Sequence, residues 1–185
     1  MKNKILLAAL LLSSSGAFAA NAYVGINAGS ASQRVYVGAQ SDSERTSGYK
    51  VYGGYQMSAN VGIEGGYVHF NELSGSAGSI TLGVKPSSFY AAMTGAMPAT
   101  DKLDVFVKLG VARSESEYFI QTPTLQRSEE RTRTGVFAGT GFQYRFSDSL
   151  SAVGEYEYFA KVGTYDELGV KLKVSLVSLG LRLAF

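Results

Sequence analysis

The chain has 185 residues with no cysteine, 17 basic and 15 acidic residues, and a large share of small and aromatic residues: 22 Gly, 12 Tyr and 10 Phe. Without cysteine it has no disulfide, thiol nucleophile or thiolate metal site. Lys2 and Lys4 of the N-terminal leader account for two of the basic residues, which leaves 15 against 15. The rest of the chain is therefore formally neutral, which excludes the positive charge that nucleic-acid binding requires.

The first residues predict a secretory signal peptide. Two lysines precede an unbroken apolar run at 5–12, and Ala17-Phe18-Ala19 has the small-x-small pattern of a cleavage site. The apolar run is shorter than the roughly 20 residues that a membrane-spanning helix needs. We expect cleavage after Ala19, so that residues 1–19 form the leader and residues 20–185 form one domain.

Beyond the leader, apolar and polar residues alternate with the period of a β-strand, and no convincing helical period appears. Eight strands are predicted at 22–30, 47–57, 60–70, 86–97, 103–113, 134–146, 150–160 and 172–185. Short connections at 58–60, 98–102 and 147–149 alternate with long ones at 31–46, 71–85, 114–133 and 161–171. The prolines, Pro86, Pro98 and Pro123, fall at strand starts or in connections, where no ladder hydrogen bond is lost. This pattern predicts an all-β, eight-stranded antiparallel up-and-down barrel with short periplasmic turns and long external loops.

The last strand indicates which side of the barrel meets lipid. One face is uniformly apolar and ends in an aromatic residue, while the other mixes Ser178, Gly180 and Arg182. A soluble barrel such as a lipocalin has its apolar face inward and would show several charges per strand outside. Here the polar faces carry few charges among glycines, which favours an outer-membrane barrel with a narrow lumen. We expect the barrel-assembly machinery to read the apolar face of this strand: Val177, Leu179, Leu181, Leu183 and Phe185.

The inward faces of the predicted strands collect four cations and three anions. Unpaired charges in so narrow a lumen would cost several kcal/mol each, so they should form hydrogen-bonded pairs or hold water. Two interpretations are open: a polar plug that fixes the register of the barrel, or a narrow, gated path for water and ions. The residues are Lys50, Glu64, Lys108, Arg145, Glu155, Glu157 and Arg182, with Arg145 nearest the periplasmic mouth.

An ordered set of segments resembles the transmembrane domain of OmpA. It consists of Tyr52-Gly53-Gly54-Tyr55-Gln56, Gly62-Ile63-Glu64-Gly65-Gly66-Tyr67, Leu103-Asp104-Val105-Phe106-Val107-Lys108-Leu109-Gly110, Glu155-Tyr156 and Ser178-Leu179-Gly180. The resemblance runs over essentially the whole chain after the leader. It implies an eight-stranded outer-membrane barrel of a Gram-negative bacterium. Since the sequence stops at Phe185, we expect a barrel-only member, closer in layout to the small OmpX-type proteins.

The resemblance also bears on single positions. Glu64 and Glu155 match positions at which the family has interior carboxylates, and Lys108 matches an interior base. Thr94 stands where the family would have an interior lysine. An ion-pair gate that depends on that lysine is therefore not expected here.

Catalysis is not expected. Some eight-stranded outer-membrane barrels are lipid A deacylases with a lipid-facing His/Ser pair, and His69 is the single histidine of this chain. No serine lies two residues from His69 on the same strand face, where the two side chains could meet. We therefore predict a non-enzymatic protein without catalytic residues, cofactor or metal.

Specific function is expected in the external segments, because lipid constrains the barrel wall and does not constrain the loops. The segment 114–133 mixes acids and bases and is either a solvated cap or an adhesive surface for a host, phage or cell-surface ligand. Four rim cations could meet lipopolysaccharide phosphates: Arg113, Lys161, Lys171 and Lys173. The sequence thus predicts a monomeric outer-membrane barrel for envelope integrity or surface interaction, with a small passive pore as the alternative.

Overall fold

The computed structural model describes residues 21–37, 40–77, 80–121, 126–165 and 170–185. The predicted signal peptide lies outside these residues, among which no helix is long and apolar enough to span a membrane. The described chain folds into nine β-strands: β1 (Ala22–Val37), β2 (Gln40–Gln56), β3 (Val61–Phe70), β4 (Leu73–Ala77), β5 (Ile80–Pro98), β6 (Leu103–Gln121), β7 (Gln126–Arg145), β8 (Leu150–Tyr165) and β9 (Val170–Ala184).

The strands close into an antiparallel barrel. Consecutive strands pair along the chain, and β9 returns to pair with β1. β3 and β4 pair with successive parts of the same edge of β5, so together they take the place of one strand in the barrel. The nine segments therefore make an eight-stranded barrel, which confirms the predicted fold class.

Pro86 marks the interruption between β3 and β4. The prediction that this proline starts a strand is wrong, because β5 begins at Ile80 and runs through it. On one side Pro86 pairs with Ser116 of β6. On the other side the pairing of β5 changes between Ser87, which faces β3, and Val84, which faces β4. A residue without an N–H is tolerated at this break in the ladder.

Three short turns lie at the end of the barrel that also carries Ala22 and Phe185, and they confirm the predicted short connections. In each turn a hydroxyl accepts a hydrogen bond from a backbone N–H three residues ahead: Ser58 from Val61 at 3.2 Å, Thr100 from Leu103 at 3.1 Å and Ser147 from Leu150 at 3.1 Å. Such local bonds favour tight turns over continued strand. By the general asymmetry of outer-membrane barrels, this end faces the periplasm.

The predicted long loops are wrong in extent, because most of their residues continue the strands. Residues 31–37 and 40–46 extend β1 and β2, and 114–121 and 126–133 extend β6 and β7 with unbroken pairing. Likewise 80–85 belongs to β5, and β8 and β9 extend to Tyr165 and from Val170, with an irregularity between Phe159 and Gly163. In these extensions inward positions carry polar residues, such as the buried Ser114 and Ser116, so the apolar alternation disappears from the sequence while the backbone ladder persists.

The two faces of the strands differ as the lipid-facing interpretation requires. On β9, Val177 and Leu179 expose 58% and 67% of their surface. Ser178, which lies between them, and Leu176, which precedes them, are buried. Leu181, Leu183 and Phe185 are exposed as well. The backbone N–H of Phe185 donates to Ala22 O at 3.0 Å, directly at the seam between β1 and β9.

We predict that deleting Phe185 reduces insertion of the barrel, because this residue completes the apolar face of the strand that closes it. The fraction of protein that migrates differently before and after boiling should fall in membranes from cells that express the variant. Phe185→Tyr, which keeps the ring, is the matched control and should assemble normally. Unchanged amounts of heat-modifiable protein after the deletion would mean that the residue has no role in assembly.

Candidate functional site in the barrel lumen

Six charged side chains meet at the middle of the lumen and are here called the charge cluster. They come from five strands, and their parity on each strand directs all of them inward: Lys50, Glu64, Lys108, Glu155, Glu157 and Arg182. Five of the six side chains have no exposed surface, and Arg182 exposes 11%. Three cations balance three anions, so the cluster is formally neutral.

The ion pairs cross the lumen between strands that are not neighbours in the barrel. Lys108 Nζ on β6 donates to Glu64 Oε1 on β3 and to Glu155 Oε1 on β8, both at 2.5 Å. Lys50 Nζ on β2 donates to Glu157 Oε1 at 2.7 Å and also to Glu155 Oε2. Each ammonium thus bridges two carboxylates, and Glu155 connects the two halves of the cluster.

Arg182 links the cluster to the periplasmic side of the lumen. Its guanidinium lies 3.3 Å from Glu64 Oε2 and donates to Gln143 Oε1 at 2.7 Å. Gln143 in turn donates to Ser151 Oγ at 2.9 Å. Arg145 lies at the mouth, as its position on the strand predicts, and forms a partly exposed pair with Asp104 at 2.8 Å. The polar chain therefore runs from the middle of the barrel to the periplasmic opening.

Neutral donors add hydrogen bonds to two of the three carboxylates, Glu64 and Glu155, whereas Glu157 Oε2 is buried without a partner among the described residues. Tyr90 OH donates to Glu64 Oε1 at 2.6 Å, and Tyr23 OH donates to Glu64 Oε2 at 3.0 Å. Asn27 Nδ2 donates to Glu155 Oε2 at 2.9 Å. A carboxylate with two or more donors on its oxygens is well compensated for the loss of water.

Aromatic faces complete the shell around the cations. Lys50 Nζ lies 4.5 Å from the ring centroid of Tyr52, and Arg182 lies 4.2 Å from that of Tyr23. Cation–π contacts of this kind strengthen where water is excluded. Thr94 is buried and carries no charge. The two ammonium groups of the charge cluster are therefore those of Lys108 on β6 and Lys50 on β2.

The three carboxylates lie close enough to suggest a cation site. Glu64, Glu155 and Glu157 bring one oxygen each within 4.8 Å of one another. However, Lys50, Lys108 and Arg182 already neutralise this group through the bonds described above. The donor set is therefore explained by protein cations, and we assign no metal to it.

On the external side of the charge cluster, four aromatic rings cross the lumen and are here called the aromatic bridge. Tyr90 of β5 stacks on Phe137 of β7 at 4.4 Å, Phe137 contacts Phe159 of β8 at 5.1 Å, and Phe159 meets Phe70 of β3 edge-on at 5.7 Å. The three phenylalanines are fully buried. Sequence reasoning missed this bridge, although the parity that directs Glu64 inward does the same for Phe70.

The outer surface carries aromatic residues at both levels where the barrel meets the membrane interface. Tyr67 and Phe89 pack at 4.8 Å on the external side, and Tyr144 and Phe146 at 5.5 Å on the periplasmic side. Such belts are typical of transmembrane barrels.

His69 belongs to the external belt. Its ring lies 5.1 Å from that of Tyr49. One serine does lie beside His69, on the neighbouring strand: Ser87 of β5 is its direct register partner. It is not found when only serines on the strand of His69 are considered. Among the described side chains no hydrogen bond joins this histidine to a hydroxyl, and the ring contact with Tyr49 accounts for its position.

The four rim cations do not come together. Arg113 lies on β6, separated by β7 and β8 from β9, which carries Lys171 and Lys173. Lys161 lies in the irregular part of β8, next to the strand that contains Lys173. The fold therefore divides the proposed lipopolysaccharide contacts between two walls.

The closed barrel, the lipid-facing apolar surface and the aromatic belts define an outer-membrane β-barrel. The model of the OmpA-like transmembrane domain family matches residues 17–185. The chain therefore belongs to this family, and its location is the outer membrane.

Similar proteins agree with this assignment. Outer membrane protein A of Shigella flexneri is 26% identical over 144 residues, which cover 77% of this chain and 41% of that protein. The chain thus spans about two fifths of the length of that curated relative. Neisserial surface protein A has a similar structure, with a TM-score of 0.64, 18% identity, and coverage of 89% of this chain and 97% of that one. Ail of Yersinia pestis, in complex with the heparin analogue sucrose octasulfate, gives a TM-score of 0.58 with 18% identity over 88% of this chain and 99% of that one.

We predict that Glu64→Gln lowers the free energy of unfolding by about 3 kcal/mol, because it leaves the buried cluster with three cations and only two carboxylates. Lys108→Met should cost a similar amount. The double variant restores the neutrality of the cluster. Its loss in free energy of unfolding should be smaller than the sum of the two single losses by at least about 1 kcal/mol. Urea unfolding from lipid vesicles measures all three.

Asp104→Asn is the matched control, since it breaks the partly exposed pair with Arg145 and should cost less than about 1 kcal/mol. Additive effects of Glu64→Gln and Lys108→Met would show that the two side chains do not interact.

Proposed function

We propose that this chain is a non-enzymatic envelope protein that reinforces the outer membrane and presents its external β-hairpins to surface ligands. The observation that carries the proposal is the filled lumen. The charge cluster and the aromatic bridge both span the barrel from wall to wall, and their rings and ion pairs occupy the space through which a solute would pass. A barrel that is filled in this way acts through its two surfaces, the lipid-facing wall and the external hairpins.

The external β-hairpins extend the barrel well beyond its membrane-spanning part. The β6/β7 pairing continues for eight residue pairs beyond Arg113 and Thr134, from Ser114↔Arg133 to Gln121↔Gln126. At about 3.3 Å per residue this adds roughly 26 Å of paired strand. A regular paired strand holds its outer residues in a fixed geometry, which suits recognition better than a flexible loop.

The balance of positive and negative charge in the external segments argues against a surface that binds polyanions in general. Residues 31–46, 71–85, 114–133 and 161–173 together contain nine Lys or Arg and nine Asp or Glu. The heparin analogue bound to Ail therefore does not carry over by charge alone. A host, phage or cell-surface ligand of mixed polarity fits this surface better.

The hairpin can be shortened without altering the barrel. Ser116 and Arg131 are register partners, so residues 117–130 can be replaced by Asn-Gly, a two-residue turn suited to a hairpin. In a strain that lacks the protein, the shortened variant should restore resistance to detergent and should fail to restore binding to cells or phage. If it restores both, this hairpin has no part in recognition. If even the intact protein restores neither, the proposed function is wrong.

The passive pore, the alternative expected from the sequence, is less well supported. Its main argument is the polar chain from Arg182 to Ser151, which gives the periplasmic half of the lumen a hydrated character. The external half is different, because the fully buried rings of Phe70, Phe137 and Phe159 cross it.

We predict that the protein shows no sustained conductance in planar lipid bilayers. Phe137→Ala combined with Phe159→Ala should add brief openings without a steady channel, because the substitutions remove the middle of the aromatic bridge while the charge cluster still crosses the lumen. Phe142→Ala, a lipid-facing substitution of the same chemistry, should leave the bilayer unchanged. Steady channels in the unaltered protein would favour the pore.

A further inference from the structure

Beyond its membrane-spanning part the barrel divides into two four-stranded sheets. The ladder between β7 and β8 ends at the pair Phe137↔Phe159, and the ladder between β2 and β3 ends at Gly48↔Phe70. Farther out, β4, β5, β6 and β7 form one sheet, and β8, β9, β1 and β2 form the other. In the external part of the described chain no pairing joins β7 to β8 or β2 to β4. The external region therefore has four free strand edges, whereas a closed barrel has none.

The edge of β7 is the longest of the four. It runs from Gln126 to Val136, and every residue of this stretch still pairs with β6 on the opposite side. At about 3.3 Å per residue the free edge measures roughly 35 Å. The register with β6 is unbroken, and the stretch contains no proline. It therefore presents a regular row of backbone N–H and C=O groups.

The other three edges have features that protect a sheet from pairing with a further strand. The β4 edge is short, since this strand has only five residues. The β8 edge is irregular between Phe159 and Gly163. At the base of the β2 edge, Asn71 covers Ser47, to which it donates from its backbone N–H at 2.8 Å and from Nδ2 at 2.6 Å. The β7 edge is thus the one best suited to accept a strand.

The outer face of β7 offers β-branched side chains beside this edge. Because Phe137 is buried in the lumen, the alternation of the strand places Thr132, Thr134 and Val136 on the opposite, outer face. All three are exposed, Val136 by 56%. Threonine and valine form favourable cross-strand pairs with residues of the same kind. An added strand would find such partners on this face.

The other face and the backbone supply polar groups. Arg133 is exposed on the face opposite Thr132. Its guanidinium has five N–H donors, so it can bind a carboxylate of an added strand as well as its contacts within the chain. Every second residue of a strand directs its N–H and C=O to the same edge, so Gln126–Arg133 offers about eight backbone groups.

We propose that the free edge of β7 binds an extended segment of another protein, which runs antiparallel to β7 and adds a strand to the external sheet. The segment has threonine or another β-branched residue on the face of Thr132 and an acidic residue on the face of Arg133. In this mode of recognition the backbone ladder gives affinity and the alternate side chains give specificity. This proposal rests on the proposed function, because it assigns a chemical class to the surface ligand.

A second copy of this chain fits the edge less well. Copies in one membrane, related by an axis along the membrane normal, present β7 in the same direction. Pairing two such edges in register places Arg133 beside Arg133 of the other copy, and like charges opposite one another are destabilising. The proposed occupant is therefore a different protein.

The test measures binding of a fluorescent octapeptide, with alternating threonine and glutamate and blocked ends, to the whole protein in lipid nanodiscs. Two further peptides carry N-methyl groups, one on the threonine amides and the other on the glutamate amides. Only one of them keeps the N–H donors that face β7 in the antiparallel orientation. It should bind within about threefold of the unmodified peptide, and the other should bind at least about tenfold more weakly.

Disulfide crosslinking locates the peptide, because the chain has no cysteine of its own. A peptide with cysteine in place of a central threonine should crosslink to Thr132→Cys at least about tenfold faster than to Arg45→Cys. The second variant is the matched control, at an exposed position of β2. A gel shift on boiling verifies that each variant is folded, and Thr134→Cys, on the same face, replaces Thr132→Cys if that variant does not refold.

Three outcomes overturn the proposal. The first is that the unmodified peptide does not bind, and the second is that both N-methylated peptides bind as well as the unmodified one, which would mean recognition by side chains alone. The third is crosslinking to Arg45→Cys as fast as to Thr132→Cys.

The proposed function is tested separately, by the binding of cells or phage to the strain with the shortened hairpin. If that strain still binds them while the peptide results hold, the hairpin's role in cell recognition is wrong and strand addition stands. If the strain loses binding while the peptide results fail, the proposed function stands and strand addition is wrong.

Discussion

The structure depends on the compensation of buried charge in a lumen from which water is largely displaced. Three carboxylates and three cations would each cost several kcal/mol if they were left alone there. They are tolerated because Lys108 and Lys50 each bridge two carboxylates, and because Tyr23, Tyr90 and Asn27 donate further hydrogen bonds to Glu64 and Glu155. The bridges run between strands that are distant in sequence, so they form only when every strand has its correct register. A slip of one residue would turn the charges toward lipid.

The same constraint explains the division of the lumen into layers. Charges that need partners lie at one level, the rings that cover them lie on the external side, and amides and hydroxyls lead to the periplasmic mouth. Outside, lipid reverses the usual arrangement of a soluble barrel and leaves Val177 and Leu179 exposed. In the external extensions the alternation is lost, and the strands continue through unbroken backbone pairing together with polar contacts such as the buried hydrogen bond between Ser88 and Ser114.

The sequence predicts most of the membrane-spanning part because two strong signals operate there. Lipid requires an apolar residue at every second position, and serine or threonine at the start of each tight turn ends the strands at Gln56, Pro98 and Arg145. The inward parity of Glu64, Lys108 and Glu155 follows from the same alternation. Their specific partners do not, since strand tilt and shear decide which inward residues share a level.

Other features of the structure could not be predicted from the alternation of apolar and polar residues. The external strands lack the alternation that lipid imposes, so 114–133 looks like a loop although it pairs as a hairpin. The aromatic bridge was missed because Phe70, Phe137 and Phe159 are apolar residues on a face that was expected to be polar.

The central claim is that two lysine ammonium groups are enclosed in the lumen and held by carboxylates. Nuclear magnetic resonance of the protein in lipid nanodiscs, with ¹⁵N at lysine Nζ, tests this directly, because exposed ammonium protons exchange with water too fast to be observed. The structure predicts two persistent signals, one lost in Lys50→Met and the other in Lys108→Met, with Glu64→Gln shifting the Lys108 signal. Absence of any slowly exchanging ammonium signal in the folded protein would contradict the enclosed charge cluster.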